Sequence, residues 1–224
     1  MGKFPRRRPA LLLAALVVAF GGAALASPEA QARYETLLAS ARSGDATVDW
    51  QALRFAYAET DAFDPFDRAA YRRNAMIAAF SRDDFRGALT QAKSILADNF
   101  VDIDAHVVAG ASFKHLGDEA GSEREFAIAD ALVKSIQASG DGSSPARPFT
   151  VISAAEETSF LRGGGLRITH RAVLKQDGHS YDVLRTADKD GNEQPYYFLA
   201  DRILAAQQAA TLRQGHADGA APTP

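Results

Sequence analysis

Five side chains stand out as able to do chemistry: Arg54, Tyr57, His106, His170 and Arg185. Arg54 and Tyr57 lie in "VDWQALRFAYAET", residues 48–60, with the chain's only Trp and a Phe. In a helix Arg54 lies about 100° round from Leu53, at the edge of a wide apolar stripe. One reading makes it a ligand-contacting group, lining a groove with Tyr57 and Tyr71. The other makes it a structural partner for an acid such as Asp61 or Asp64. The structural role is favoured, because arginine is the usual choice for fixing a partly buried carboxylate.

His170 and Arg185 meet only through a strand register. Asp177-Gly178 is a two-residue hairpin signal, because both positions tolerate positive φ. Paired positions then sum to 355, which sets Leu174 against Tyr181, Ala172 against Val183 and Ile168 against Ala187. His170 faces Arg185 within the same apolar face. Two positive groups there would suit a small anion or a carboxylate. A neutral His and a snorkelling Arg explain them equally simply and are favoured. His106, His170 or Asp182 would also be the groups of an enzyme whose site lay where helices meet strands.

Other patterns carry less. The histidines at 106, 115, 170, 179 and 216 form no metal-ligand spacing, and H-E-x-x-H is absent. "GGG" at 163–165 lacks a P-loop lysine, and no G-x-S-x-G occurs. "DKDGNE" at 188–193 is too short for a calcium loop and reads as a turn. The acid pairs Glu156/Glu157 and Asp102/Asp104 sit where helices begin, which suits the helix dipole. No cofactor and no metal are expected.

The elements that would position these groups follow from periodicity. Lys3, Arg6, Arg7 and Arg8, then "ALLLAALVVAF" and "ALA" at 24–26, form an export signal over residues 1–26. The apolar run is short for a membrane span, so no stable span is expected after cleavage. Cleavage removes four positive charges and no negative ones, taking the formal charge from −3 to −7. An acidic exported chain is a poor partner for nucleic acid. With no Cys there are no disulfides, so an apolar core must hold the fold. The expected location is the periplasm or the exterior.

Residues 27–140 read as helices. Tyr34, Leu37, Leu38 and Ala41 make one stripe; Trp50, Leu53 and Tyr57 make the next. Four more segments follow at 67–81, 84–98, 103–116 and 118–137. Asp84 and Asp118 recur 34 residues apart, as do Ala88 and Ser122. Gly110, Phe113, Gly117, Phe126 and Ala129 suit a tetratricopeptide-like hairpin. Residues 141–152 read as a linker. Residues 153–213 open with a capping box at Ser153 and Glu156. They continue as a helix, a three-stranded antiparallel meander with Pro195 opening an edge strand, and a closing helix. A disordered tail is expected over 214–224. The fold class is α+β, mostly α.

Three segments carry a resemblance: "YETLLASARSGDATVDWQALRFAYAET", "VDIDAHVVAGASFKHLGD" and "VISAAEETSFLRGGGLRITHRAVLKQDGHSYDVL". In order and spacing the chain resembles, over most of residues 34–200, a bacterial family of short exported proteins known only as a domain of unknown function. The resemblance implies a helical-repeat-like N-terminal half and a small strand-rich end, and it carries over no catalytic residues, because none are assigned to the family. Within it, "RITHRAVL" stands where relatives would carry a Gln-containing strand.

Together these readings favour a non-catalytic module that binds a protein or peptide partner in a helical-hairpin groove. The alternatives are a small envelope enzyme between the helical half and the sheet, and an assembly accessory without a ligand.

Overall fold

A computed structural model describes residues 27–219. The export signal assigned to residues 1–26 lies outside the described residues.

Helix α1 spans Pro28–Ser43; Ser27 caps it by accepting the Ala30 N–H, and Gly44 ends it in the left-handed conformation. Helix α2 (Trp50–Tyr57) starts on the Asp49 cap. Helices α3 (Ala70–Phe80) and α4 (Phe85–Asp98) form one hairpin; α5 (Ile103–His115) and α6 (Glu119–Gln137) form the next. The 34-residue repeat is visible in the caps. Asp84 accepts the Gly87 N–H at 2.9 Å, and Asp118 accepts the Gly121 N–H at 2.8 Å. At Gly110 the α5 backbone meets the Phe126 ring of α6, where an added Cβ would lie 3.1 Å from the ring. A side chain there would push the Phe126 ring aside by a few tenths of an ångström.

After α6 come strand β1 (Phe149–Thr150), helix α7 (Ala154–Gly163), strands β2 (Arg167–Gln176), β3 (His179–Ala187) and β4 (Glu193–Leu199), and helix α8 (Asp201–Gly219). The sheet is four-stranded and mixed, in the order β1-β4-β3-β2, and β1 runs parallel to β4. A three-stranded antiparallel meander was expected, so the missing strand is the correction. Two residues inside the "linker" are too few to show alternation, yet Phe149 pairs with Phe198 and Thr150 with Leu199. β4 is therefore internal, not an edge. Pro195 is tolerated because β1 reaches only residues 198 and 199, leaving β4 unpaired on that side at residue 195. Helix α8 also continues to Gly219, past its expected end at residue 213.

The hairpin register holds from Gln176 to His170 and then shifts. Leu174 faces Tyr181, Ala172 faces Val183 and His170 faces Arg185, but Ile168 faces Thr186 rather than Ala187. One extra residue in β2 flips the strand's alternation. Ile168 consequently packs on the core, while Leu174, Ala172 and His170 point to the opposite face. The face covered by α7 is lined instead by Leu184, Tyr196 and Phe198, with the Phe160 ring 6.3 Å from that of Phe198. The face read as the core face in sequence is thus the outer one.

One apolar cluster joins the helical half to the sheet. Leu53, Leu132, Ile136, Val151, Leu184 and Phe198 within it are fully buried. Each side chain of this size stabilises the fold by about 1.5–3 kcal/mol. A second cluster of Met76, Ala92, Ile95, Ala105 and Ala109 holds the repeat hairpins together. Among the described residues no helix is long and apolar enough to cross a membrane.

Candidate functional site

Between α1 and α2 on one side and α3, the α4–α5 turn and the start of α7 on the other runs a trough of 680 Å³. That size is ordinary for a ligand pocket. Its apolar walls come from Leu38 of α1, Phe63 of the loop after α2, Ile95 and Ile103, and Ile152 before α7. The Tyr34 and Tyr57 rings lie 5.6 Å apart within it, and Phe63 meets Tyr57 edge-on at 5.7 Å. Burial pushes the Tyr34 phenol above its ordinary value, against the pull of the Phe100 backbone and Arg42. Burial pushes Tyr57 further still, with Tyr34 and the acids Asp102, Asp98 and Asp64 adding to the effect. Both phenols therefore remain neutral groups, able to donate or accept a hydrogen bond.

The charges of the trough are mostly spoken for. Arg72 donates to Asp98 at 2.7 Å and to Ser94 at 2.8 Å. Arg73 pairs with Asp67 and, at 3.0 Å, with Asp102. Burial raises the Asp102 carboxyl above its usual range, and Arg73 opposes that rise. Arg42 is different. Its guanidinium sits 5.4 Å from the centroid of the Phe100 ring, and it has no carboxylate partner among the described residues. The trough therefore offers apolar walls, two phenols, of which Tyr57 donates to the Ala62 carbonyl at 3.4 Å, one cation without a carboxylate partner, Arg42, and two acids without an ion pair among the described residues, Glu35 and Asp64.

Arg54 lies behind the trough rather than in it. It is fully buried. Its Nε and Nη2 donate to the two carboxylate oxygens of Glu156 at 2.6 and 2.7 Å. Nη1 reaches Ser135 Oγ at 3.0 Å, and Nη2 also reaches the Thr150 carbonyl at 2.9 Å. Glu156 in turn accepts the Ile152 N–H at 2.8 Å. One guanidinium thus ties α2, α6, β1 and α7 together. The structural reading of Arg54 holds, but its partner is Glu156, not Asp61 or Asp64. Asp64 instead accepts the N–H groups of Phe66 and Arg68 in its own turn.

The remaining sequence candidates are scattered. Tyr57 lines the trough, whereas Tyr71 is 70% exposed on α3. His106 is fully buried, with Nδ1 2.7 Å from Glu125 and Nε2 2.7 Å from the Phe100 carbonyl. The His106 contact holds the Glu125 carboxyl below its ordinary value although burial acts the other way. His170 and Arg185 are register partners, as expected, but both are exposed on the outer face of the sheet. Asp182 faces α7, 3.6 Å from Arg171. No hydrogen bond joins His106, His170 and Asp182.

Sequence reading missed the polar side of α7. Glu156 and Glu157 do open this helix, but both are buried and committed to partners on other elements. Glu157 accepts a 2.6 Å hydrogen bond from Arg171 of β2, and its Oε1 has no partner among the described atoms. Burial and the neighbouring Asp182 push Glu157 up to about 8 despite Arg171. Asp104, read as another helix-start acid, accepts the Ser159 hydroxyl at 2.8 Å and pairs with Arg162 at 3.3 Å. The available signal was two acids on a helix assigned to cover a sheet, a position where an unpaired acid is costly. Among the described residues no group of three or more acids and histidines is arranged to hold a metal ion.

Residues 25–209 match the model of a family described as a domain of unknown function, DUF4919. No curated protein and no solved structure matches the chain.

Proposed function

The chain belongs to the DUF4919 family, and on that premise we propose that it is an exported, non-catalytic binding protein whose trough takes an extended peptide segment of a partner. The trough carries this reading: apolar walls, the Tyr34 and Tyr57 hydroxyls, and the uncommitted Arg42 at the rim. Such a lining suits a segment that buries one large apolar side chain and presents a carboxylate to Arg42. The helical hairpins serve here as tetratricopeptide-like repeats do, by holding a concave wall rigid for a partner. Export rests on the basic head, apolar core and small-residue site of residues 1–26. It places the partner in the periplasm or outside the cell.

The test is selection of displayed ten-residue peptides on the full chain, with counter-selection on Leu38→Trp, which fills the trough. Enrichment of sequences that pair a large apolar residue with an acid, and that bind Leu38→Trp at least about tenfold more weakly, supports the proposal. Failure to enrich, or binding indifferent to Leu38→Trp, overturns it.

A further inference from the structure

Strand β2 ends the sheet on one side and is ten residues long. No described strand pairs with its outer edge. Apart from the partly buried Ile168 and Leu174, every residue along it is exposed, and Val173 is 62% exposed. A long, open edge presents a row of free backbone N–H and C=O groups, which is a template for another strand. The other end of the sheet, β1, is only two residues long.

The charges borne by β2 itself are of one sign. β2 carries Arg167, His170, Arg171 and Lys175, and Arg185 lies opposite His170 on β3. Arg171 is drawn inward to Glu157 and Asp182. Arg167, Lys175 and Arg185 have no ion pair among the described residues. This cationic stripe stands on a chain whose formal charge is −3. Its sign selects the occupant. A second copy of β2 would bring like charges together, which opposes pairing of the edge with itself. The chain's leader is basic and residues 220–224 are uncharged and contain two prolines, so neither complements the stripe. An acidic strand does.

We propose that the free edge of β2 docks an acidic extended segment of a partner protein, which joins the sheet as an added strand beside β2. Backbone hydrogen bonds give the attachment, and acidic side chains on one face of the added strand meet Arg167 and Arg185, with Lys175 standing on the opposite face. This surface is separate from the trough, and neither depends on the other.

The test uses a fluorescein-labelled ten-residue peptide in which Glu alternates with Val and Thr. The same peptide with two central prolines, and a version with Lys in place of Glu, serve as comparisons. Anisotropy with the full chain measures binding, and amide hydrogen exchange over residues 167–176 locates it. The acidic peptide is expected to bind and to slow exchange along β2. The proline and Lys peptides are expected to do neither. Arg167→Glu with Arg185→Glu should weaken binding by about tenfold, without changing the melting temperature, because both positions are exposed. Three results would overturn the proposal: no binding of the acidic peptide, binding unaffected by the prolines, or sedimentation showing that the chain already pairs with itself through this edge.

Discussion

Arg54 and Glu156 lie 102 residues apart in sequence, and two parallel hydrogen bonds of 2.6 and 2.7 Å join them inside the core. The pair lies within the apolar cluster that joins the helical half to the sheet. Arg54 sits on α2, Glu156 on α7, and the same guanidinium also holds Ser135 of α6 and Thr150 of β1. A buried ion pair adds little over an apolar pair of the same shape, but breaking it leaves a charge stranded in the core.

Replacing one partner should therefore be far worse than replacing both. Arg54→Met is expected to lower the unfolding free energy by about 3–5 kcal/mol. Arg54→Met with Glu156→Met is expected to recover most of that loss. Urea titration of the single and double variants measures the difference.

The Glu157 carboxyl gives stability a defined pH dependence. Its folded value of about 8 lies above the 4.5 of a free glutamate. Between those values the folded chain keeps a proton that the unfolded chain releases. This contribution is complete below pH 4.5, falls as pH rises through the window, and is exhausted above pH 8. Each pH unit within the window removes on the order of 1 kcal/mol. Melting temperature against pH should show this decline in the wild type and a flatter profile in Glu157→Gln.

The repeat makes a paired prediction. Asp84 and Asp118 cap α4 and α6 through the same contact. Asp84→Ala and Asp118→Ala should each cost about 1 kcal/mol, with similar losses for the two. Chemical denaturation of each variant checks both the size and the equivalence.

The Gly110–Phe126 crossing predicts a rescue. Gly110→Val drives a branched side chain into the ring of Phe126 and should cost about 1–3 kcal/mol. Phe126 is 39% exposed, so Phe126→Ala costs less than it would at a fully buried position while clearing that space. The double variant should be more stable than Gly110→Val alone, as a thermal melt would show.

Local signals were legible and long-range ones were not. The Ser153 cap, the Asp177-Gly178 turn and the helical stripes all act within a few residues, and the structure places them as read. The extra residue near Thr169 has no local signature. Ile168 fits either face equally well, so the expected core face came out reversed. β1 was hidden because two residues carry no period. In the trough, Tyr57 was legible as an aromatic beside a polar group, but Tyr34 read simply as a packing residue. Arg42 stood out only once Arg72 and Arg73 were seen to be paired, which depends on tertiary contacts.

The trough's role is tested most directly by placing a photo-crosslinking benzophenone side chain at Leu38, inside the trough. The comparison places it at Lys134, exposed on α6. The chain is irradiated in the cells that produce it and the adducts are mapped by mass spectrometry. Position 38 should yield adducts confined to one extended segment of one protein, lost when Arg42→Glu is added, with none from position 134. No adduct from position 38, or the same mixture from both positions, would contradict a trough built to hold a partner's peptide.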